Sequence, residues 1–169
     1  MCCYILDRSI RLAKIDDLAK LNEIYNWAVL NTVATFDIEE RTIEAAEEWF
    51  HIHQNPAYPL YVLEWQGKIR GWGSISPFHP RPAYRFTGEF SVYIAPTAHH
   101  QGLGSLVLSK LCAVAPSLGQ HSLIGLICAE NTSSLALAAK HGFQQVGYYR
   151  QVGLKFERWL DLVVVQRIF

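Results

Sequence analysis

A strand, a glycine-containing loop and a helix follow one another without interruption near the middle of the chain, and this succession limits the possible folds most. The pattern predicts a strand over 86–94, a loop over 99–104 and a helix over 105–115. The first N–H groups of a helix have no intrahelical partners, so such a turn presents hydrogen-bond donors to an anion such as a phosphate. Gly102 and Gly104 permit close approach of a ligand. An ordinary turn that uses its glycines for geometry alone is the alternative.

Strand and helix patterns surround this segment in the order βααβββαβαββ. Asp16-Asp17 offers an N-cap for the first helix. The runs 60–65 and 69–76 flank a short glycine-containing turn and predict a hairpin, and the apolar run 122–128 predicts a strand buried on both faces. Strands separated by helices, beside a hairpin, imply a mixed α/β sheet with helices on both faces.

Composition limits the class of protein. The 169 residues are 50% hydrophobic and 18% charged, which predicts a single folded domain over 1–169. Lys+Arg and Asp+Glu are 15 each, so the chain has no overall positive charge with which to hold nucleic acid or an anionic membrane. No run of about 20 apolar residues predicts a membrane span.

Cysteine and histidine spacing gives no metal motif. The cysteines stand at 2, 3, 112 and 128 with no Cys-x-x-Cys pair, and the histidines lack a His-x-x-x-His pair. We therefore expect no metal. Because no signal peptide is recognisable at the N-terminus, we also expect reduced thiols and a cytoplasmic location.

The glycine loop lacks the features of two common nucleotide motifs. A P-loop needs a Lys between its last Gly and the Ser, which Gly104-Ser105 lacks, and a Rossmann fingerprint needs a third glycine where Val107 stands. The loop instead resembles the coenzyme A site of the GNAT N-acetyltransferases. Their pattern Gln/Arg-x-x-Gly-x-Gly/Ala aligns with residues 99–104, but His99 departs from it. The resemblance therefore implies weaker coenzyme binding rather than none.

Longer stretches are similar to the phosphinothricin and methionine sulfoximine acetyltransferase branch of that family. They fall between about 10 and 166, at 24–26, 31–36, 83–89, 91–93 and 151–161. The resemblance implies transfer of the acetyl group of acetyl-CoA to the primary amine of a small amino acid or analogue, of the phosphinothricin, methionine sulfoximine or methionine sulfone type. It also implies a homodimer.

Glu89 is the candidate general base, because an ammonium must lose a proton before its nitrogen can attack. Strand alternation places its side chain on one face with Ser91 and Tyr93, opposite Phe90 and Val92. If that face lines a cleft, partial burial will raise the carboxyl pKa. A solvated glutamate at the start of a strand is the alternative.

The resemblance assigns the coenzyme to three segments. They are the main chain of Val92, Tyr93 and Ile94, the loop residues, and Asn131 with Ser134. The loop residues are His100, Gln101, Gly102, Leu103, Gly104 and Ser105. An N–H group near Tyr93 or Ile94 is expected to stabilise the oxyanion, and a helix cap is the alternative role of Asn131.

The proton donor to the leaving thiolate is missing from its usual place. Many members of the family have Tyr or His seven residues after this Asn, and here that residue is Ala138. His141, Tyr148, Tyr149 and water remain as alternatives.

The acceptor site is predicted from side chains that could bind a carboxylate. Arg81, Arg85 and Lys155 are the candidate cations. Tyr84 and Thr87 are candidate hydrogen-bonding residues, and surface roles are the alternative for all five. Two aromatic residues, Phe36 and Tyr25, form either a wall of the acceptor site or part of the core. Two other functions remain open: an acetyltransferase for a protein or polyamine amine, and a non-catalytic acetyl-CoA-binding protein.

Overall fold

The computed structural model describes residues 8–169, so Cys2 and Cys3 lie outside the described residues. Seven strands and four α-helices follow in the predicted order βααβββαβαββ, which is confirmed. They are β1 (Arg8–Leu12), α1 (Leu18–Asn31), α2 (Ile43–Ile52), β2 (Leu60–Trp65), β3 (Lys68–Pro77), β4 (Thr87–Ile94), α3 (Leu103–Val114), β5 (Ser122–Cys128), α4 (Thr132–Lys140), β6 (Gln144–Lys155) and β7 (Arg158–Ile168).

The strands form one mixed sheet in the order β1-β2-β3-β4-β5-β7-β6. Every neighbouring pair is antiparallel except β4 and β5, which are parallel at the centre of the sheet. A parallel pair needs a crossover, and α3 supplies it. Among residues 8–169, no helix combines the length and the apolar character that crossing a membrane requires.

The two faces of the sheet are covered by different helices, as predicted. Leu60, Val62 and Trp72 pack with α1 and α2 in one buried cluster. Ile75 and Leu123 pack with α3 and α4 in another. In β4, Phe90 and Val92 pack against the α3/α4 cluster. Because side chains alternate along a strand, Glu89, Ser91 and Tyr93 lie on the α1/α2 face.

The predicted Asp cap of α1 is wrong. Asp17 stands at the cap position, but its side chain makes no capping hydrogen bond to α1. Its carboxylate accepts instead from the Lys14 N–H at 2.7 Å and pairs with Arg11 of β1 at 2.7 Å. These bonds, the Arg11 guanidinium first, lower the pKa of the Asp17 carboxyl. The carboxylate oxygens of Asp17, which the sequence pattern assigned to capping α1, are therefore bound to Arg11 of β1 instead.

The sequence pattern predicts the last two strands over 143–150 and 156–166. In the structure the first of them, β6, extends five residues further. β6 continues to Lys155 through a bulge between Tyr149 and Gly153. The Asp161 carboxylate stabilises that bulge by accepting from the Gln151 N–H at 2.7 Å and from the Tyr148 hydroxyl at 2.5 Å. Gln151 takes a left-handed φ of 48°, so the bulge interrupts the alternation by which a strand is recognised.

Candidate active site

β4 and β5 separate after three residue pairs, which opens the sheet at its centre. Pairing covers 87–89 on β4 and 122–124 on β5, whereas β4 continues to Ile94. The Phe90 ring packs over Gly125 where pairing ends, and a Cβ on that glycine would lie 2.5 Å from Phe90 Cε1. Since β5 stays paired with β7 along its length, the second half of β4 has an edge without a neighbouring strand.

The hydrogen bonds at the end of β4 show which main-chain groups face this gap. The Ala95 N–H donates to the Arg70 carbonyl at 2.7 Å. Antiparallel ladders alternate, so the main chain of Tyr93 also turns towards β3, and that of Val92 and Ile94 turns towards the gap. The N–H groups of Val92 and Ile94 therefore face the gap, whereas the N–H of Tyr93 is turned towards β3.

The loop between β4 and α3 has the backbone geometry of an anion nest. His100 and Gly102 both have left-handed backbones, with φ of 59° and 73°, and α3 begins at Leu103. Left-handed residues that alternate with residues of ordinary φ, as Gln101 does between these two, turn neighbouring N–H groups towards one concavity. Gly104 has no positive φ, and a Cβ there would lie 3.4 Å from Leu137, so this glycine provides space rather than conformational freedom.

His99, which replaces the Gln or Arg of the family pattern, makes contacts within this part of the chain. Its Nε2 lies 2.8 Å from the Ile94 carbonyl and donates to it, since a carbonyl oxygen only accepts. Its ring meets the edge of Trp27 at 5.8 Å between centroids. His99 thus ties the loop to the end of β4.

The nest opens into a cavity of about 400 Å³, here called the loop cavity. Predicted coenzyme residues that line it come from β4, the loop and α4. They are Val92, Tyr93, Ile94, His100, Gly102, Leu103, Gly104, Asn131 and Ser134. Gln101 and Ser105 do not line it, and the Ser105 hydroxyl lies 2.8 Å from His141 Nε2.

Asn131 caps α4, which was the alternative role left open for it. Its Oδ1 accepts from the Ser134 N–H at 3.2 Å and from the Ser133 hydroxyl at 3.0 Å. Because the residue also lines the loop cavity, its Nδ2 hydrogens remain for a ligand there. Capping and ligand binding are therefore compatible.

Glu89 lines a second cavity of about 270 Å³, here called the Glu89 cavity. Glu89 is half-buried, and burial raises the pKa of its carboxyl. Seven residues line both cavities, so the two meet beneath the unpaired edge of β4: Val33, Ala34, Val92, Tyr93, Asn131, Ser134 and Leu137. A group held at this junction lies between the nest and a carboxylate with a raised pKa.

The segment 32–37, here called the roof loop, contributes to both cavities. Phe36 lines the Glu89 cavity, whereas Tyr25 packs against the core, so the two roles left open for this aromatic pair are divided between them. The Tyr93 hydroxyl donates to the Ala34 carbonyl at 3.5 Å. Tyr25 contacts Thr35 Oγ1 at 3.1 Å and donates to the Asp37 carboxylate, and its pKa is raised to about 12, chiefly by burial. The stretch 31–36 also carries part of the family resemblance, but the sequence did not predict that Val33, Ala34 and Thr35 line a cavity.

The predicted acceptor cations do not gather in either cavity. Arg81, Tyr84 and Arg85 are exposed in the loop before β4, and the Arg85 guanidinium lies 4.2 Å over the Phe86 ring. Thr87 Oγ1 accepts from the Ser122 hydroxyl at 3.3 Å. Lys155 is 3% exposed and donates to the Thr35 carbonyl at 2.7 Å, so it holds the roof loop.

The side chain at the usual position cannot protonate a leaving group, because Ala138 has only a methyl group, which is buried in the core. His141, Tyr148 and Tyr149 line neither cavity, and the Tyr148 hydroxyl is bound to Asp161. Within residues 8–169 there is also no group of three or more His, Cys, Asp or Glu side chains that could hold a metal.

A free strand edge beside an anion nest suits a long carrier with phosphate at one end and its reactive group near Glu89. Fold and site together therefore define an acyltransferase. A family model described as "Acetyltransferase (GNAT) domain" matches residues 10–164, and the chain belongs to this family of acetyl-CoA-dependent N-acetyltransferases. The resemblance found in the sequence is confirmed.

Named relatives match nearly the whole chain. It is 36% identical over 160 residues to the L-methionine sulfoximine/L-methionine sulfone acetyltransferase of Salmonella typhimurium, covering 94% of this chain and 92% of that protein. It is 38% identical to the L-amino acid N-acyltransferase of Escherichia coli, with the same coverage. The crystal structure of a Sinorhizobium meliloti phosphinothricin acetyltransferase in complex with acetyl-CoA is 35% identical, with a TM-score of 0.91 over 96% of this chain and 88% of that one.

Proposed function

We propose that the chain acetylates the α-amino group of an amino acid or amino-acid analogue, with Glu89 as general base. Methionine sulfoximine, methionine sulfone and phosphinothricin are the candidate acceptors, because relatives named for these compounds match almost the full chain. The observation that carries the proposal is the junction of the two cavities, which sets a half-buried carboxylate beside the gap-facing edge of β4.

The coenzyme would bind along this gap. Its diphosphate rests on the nest at 100–104, where the helix N-terminus adds favourable electrostatics. Its pantetheine arm lies along the unpaired edge of β4 and hydrogen-bonds to the main chain of Val92 and Ile94. The thioester then reaches the junction, where one of these N–H groups stabilises the developing oxyanion.

The transfer needs no covalent enzyme intermediate. The ammonium gives its proton to the Glu89 carboxylate, directly or through water, and the freed nitrogen lone pair attacks the thioester carbonyl carbon. The C–N bond forms, and the nitrogen, positively charged after the attack, loses its second proton to water. The oxyanion then collapses, the C–S bond breaks and the thiolate leaves with the bonding electron pair. Water protonates the thiolate, since Ala138 offers no acid. Cys112 and Cys128 are buried and free, and neither is used as a nucleophile.

An acceptor panel tests the proposal. Purified protein is supplied with acetyl-CoA and each of methionine sulfone, methionine sulfoximine, phosphinothricin, spermidine and a lysine-containing peptide, and thiol release is measured. We expect turnover with the three amino-acid analogues. Turnover with spermidine or the peptide alone would favour the other acceptor classes, and coenzyme binding without any turnover would favour a non-catalytic protein.

The carboxylate of such an acceptor needs a cation. Arg81 and Arg85 remain the proposed partners, with Tyr84 and Thr87 as hydrogen-bonding residues. The side chains of Thr87 and Glu89 share a face of β4, and the arginines lie in the exposed loop that precedes this strand. The cytoplasmic location stays a prediction.

We further propose that the chain forms a homodimer through the β6–β7 hairpin. β6 is an edge strand, and the hairpin carries exposed apolar side chains: Val146, Tyr148, Tyr149, Val152, Leu154, Phe156 and Trp159. An unpaired edge and a large apolar patch together favour self-association.

The Leu154→Lys variant tests this surface. Leu154 pairs with Trp159 across the hairpin, and the two residues are 54% and 59% exposed. We expect the unsubstituted chain to sediment as a dimer and Leu154→Lys as a monomer, because a charge would be buried at the interface. Leu12→Lys, at the opposite edge of the sheet, should leave the dimer intact. A monomeric unsubstituted chain would contradict the proposal.

A further inference from the structure

The Phe36 ring of the roof loop lies directly on the main chain of Gly153 in β6. A Cβ built on Gly153 would lie 2.5 Å from Phe36 Cε2 and closer still to Cδ2. Gly153 does not have a left-handed φ, so its backbone would accept any residue. Glycine is required here because the ring occupies the space of a side chain.

A second contact from the same strand end holds the next residue of the roof loop. Lys155, two residues beyond Gly153, donates from Nζ to the Thr35 carbonyl at 2.7 Å. Burial lowers the pKa of the Lys155 ammonium, while the nearby Asp37 charge opposes that shift. Thr35 and Phe36 both line the Glu89 cavity. The end of β6 therefore determines where this wall of the cavity stands.

The Phe36 ring both contacts Gly153 and lines the Glu89 cavity. Gly153 itself does not line that cavity. A methyl group at position 153 would force the ring from about 2.5 Å to at least 3.4 Å, the start of ordinary van der Waals contact, and so by roughly 1 Å towards the cavity. A cavity of about 270 Å³ has little volume to give up.

We propose that Gly153 is a specificity-determining residue, which sets the length of the acceptor side chain by seating Phe36. The inference rests on the proposed function, because it takes the Glu89 cavity as the acceptor site. Gly153 would thus determine which amino acids are acetylated although it does not line the acceptor cavity. Phe36 is the wall that the acceptor meets, and Gly153 fixes the depth of that wall.

Gly153→Ala tests the inference through two acceptors of different size. We expect kcat/KM for methionine sulfone to fall by at least about tenfold relative to kcat/KM for alanine, which lacks the long side chain. Gly147→Ala is the control on the same strand, because its Cβ would meet Val164 at an ordinary 3.4 Å. This control should keep the ratio of the unsubstituted protein.

Phe36→Leu in the Gly153→Ala background provides the rescue. A smaller side chain at 36 no longer collides with the methyl group, so the preference for the long acceptor should return. Thermal melting of each variant identifies loss of folding, which would reduce both acceptors equally. An unchanged ratio of the two kcat/KM values in a variant that melts like the unsubstituted protein would overturn the inference, and for a variant that melts earlier the crystal structure described below decides.

The proposed function and this inference fail in different ways. If the unsubstituted protein acetylates neither acceptor, the function is wrong whatever Gly153 does. The seating of the ring is then tested by a crystal structure of Gly153→Ala. A Phe36 ring that has not moved into the Glu89 cavity would overturn the inference, and a displaced ring would support it.

Discussion

Glu89→Gln is expected to lower kcat for the acceptor amine by at least about tenfold, because an amide cannot take the proton that the ammonium must lose. The substitution keeps the shape of the side chain in its half-buried site, so acetyl-CoA binding and the melting temperature should change little. Steady-state thiol release gives kcat, and calorimetry gives the coenzyme affinity. Glu48→Gln, an exposed exchange on α2, is the matched control.

The pH dependence gives a sharper test of the same residue. Burial raises the pKa of Glu89, and the active form of a base is the deprotonated one. kcat/KM should therefore fall as the pH drops through this raised pKa, at a higher pH than an ordinary glutamate would give. The Gln variant should lack this acidic limb. An identical limb in the two proteins would show that another group titrates, and the assignment of Glu89 would be wrong.

Gly104→Val is expected to weaken acetyl-CoA binding by at least about tenfold while the chain still folds. A Cβ at this position lies 3.4 Å from Leu137 and 3.8 Å from Ile94, which both line the loop cavity. Alanine fits within ordinary contact distance, whereas valine adds two methyl groups where the coenzyme must pass. Gly104→Ala is therefore the control and should bind nearly normally.

Calorimetry with acetyl-CoA and thermal melting separate binding from folding. The alternative, an ordinary strand-to-helix turn, predicts that valine harms stability and binding together. That outcome would remove the loop from the coenzyme site. Normal acetyl-CoA binding by the valine variant would also exclude the loop from the coenzyme site, because the coenzyme would then bind elsewhere.

The local sequence pattern was sufficient to predict those strands and helices in which apolar and polar residues alternate with a clear period. The alternation of Phe90 and Val92 with Glu89 and Ser91 assigned the two faces of β4 correctly. The same method failed at the 150–152 bulge, where Asp161 holds a left-handed Gln151. It also failed at Asp17, whose oxygens are taken by Arg11. Both errors come from partners that lie on another strand.

The glycine loop shows how far motif matching extends. The resemblance located its segment, and the structure shows that residues 100 and 102 carry the left-handed backbones while Gly104 provides space. Lys155 illustrates the limit. Its charge and position suggested carboxylate binding, but the folded chain turns it towards the Thr35 carbonyl.

The amino-acid sequence by itself determined the order of the elements and the family, because these depend on local periodicity and on motifs that are continuous in the chain. Tertiary structure alone decided that β4 and β5 part after three pairs, that the roof loop closes two joined cavities, and that Gly153 supports Phe36. These features arise where segments distant in the chain come into contact, such as Lys155 and Thr35, which are 120 residues apart. No local preference encodes such a meeting, since it is fixed by how the whole sheet and its helices pack.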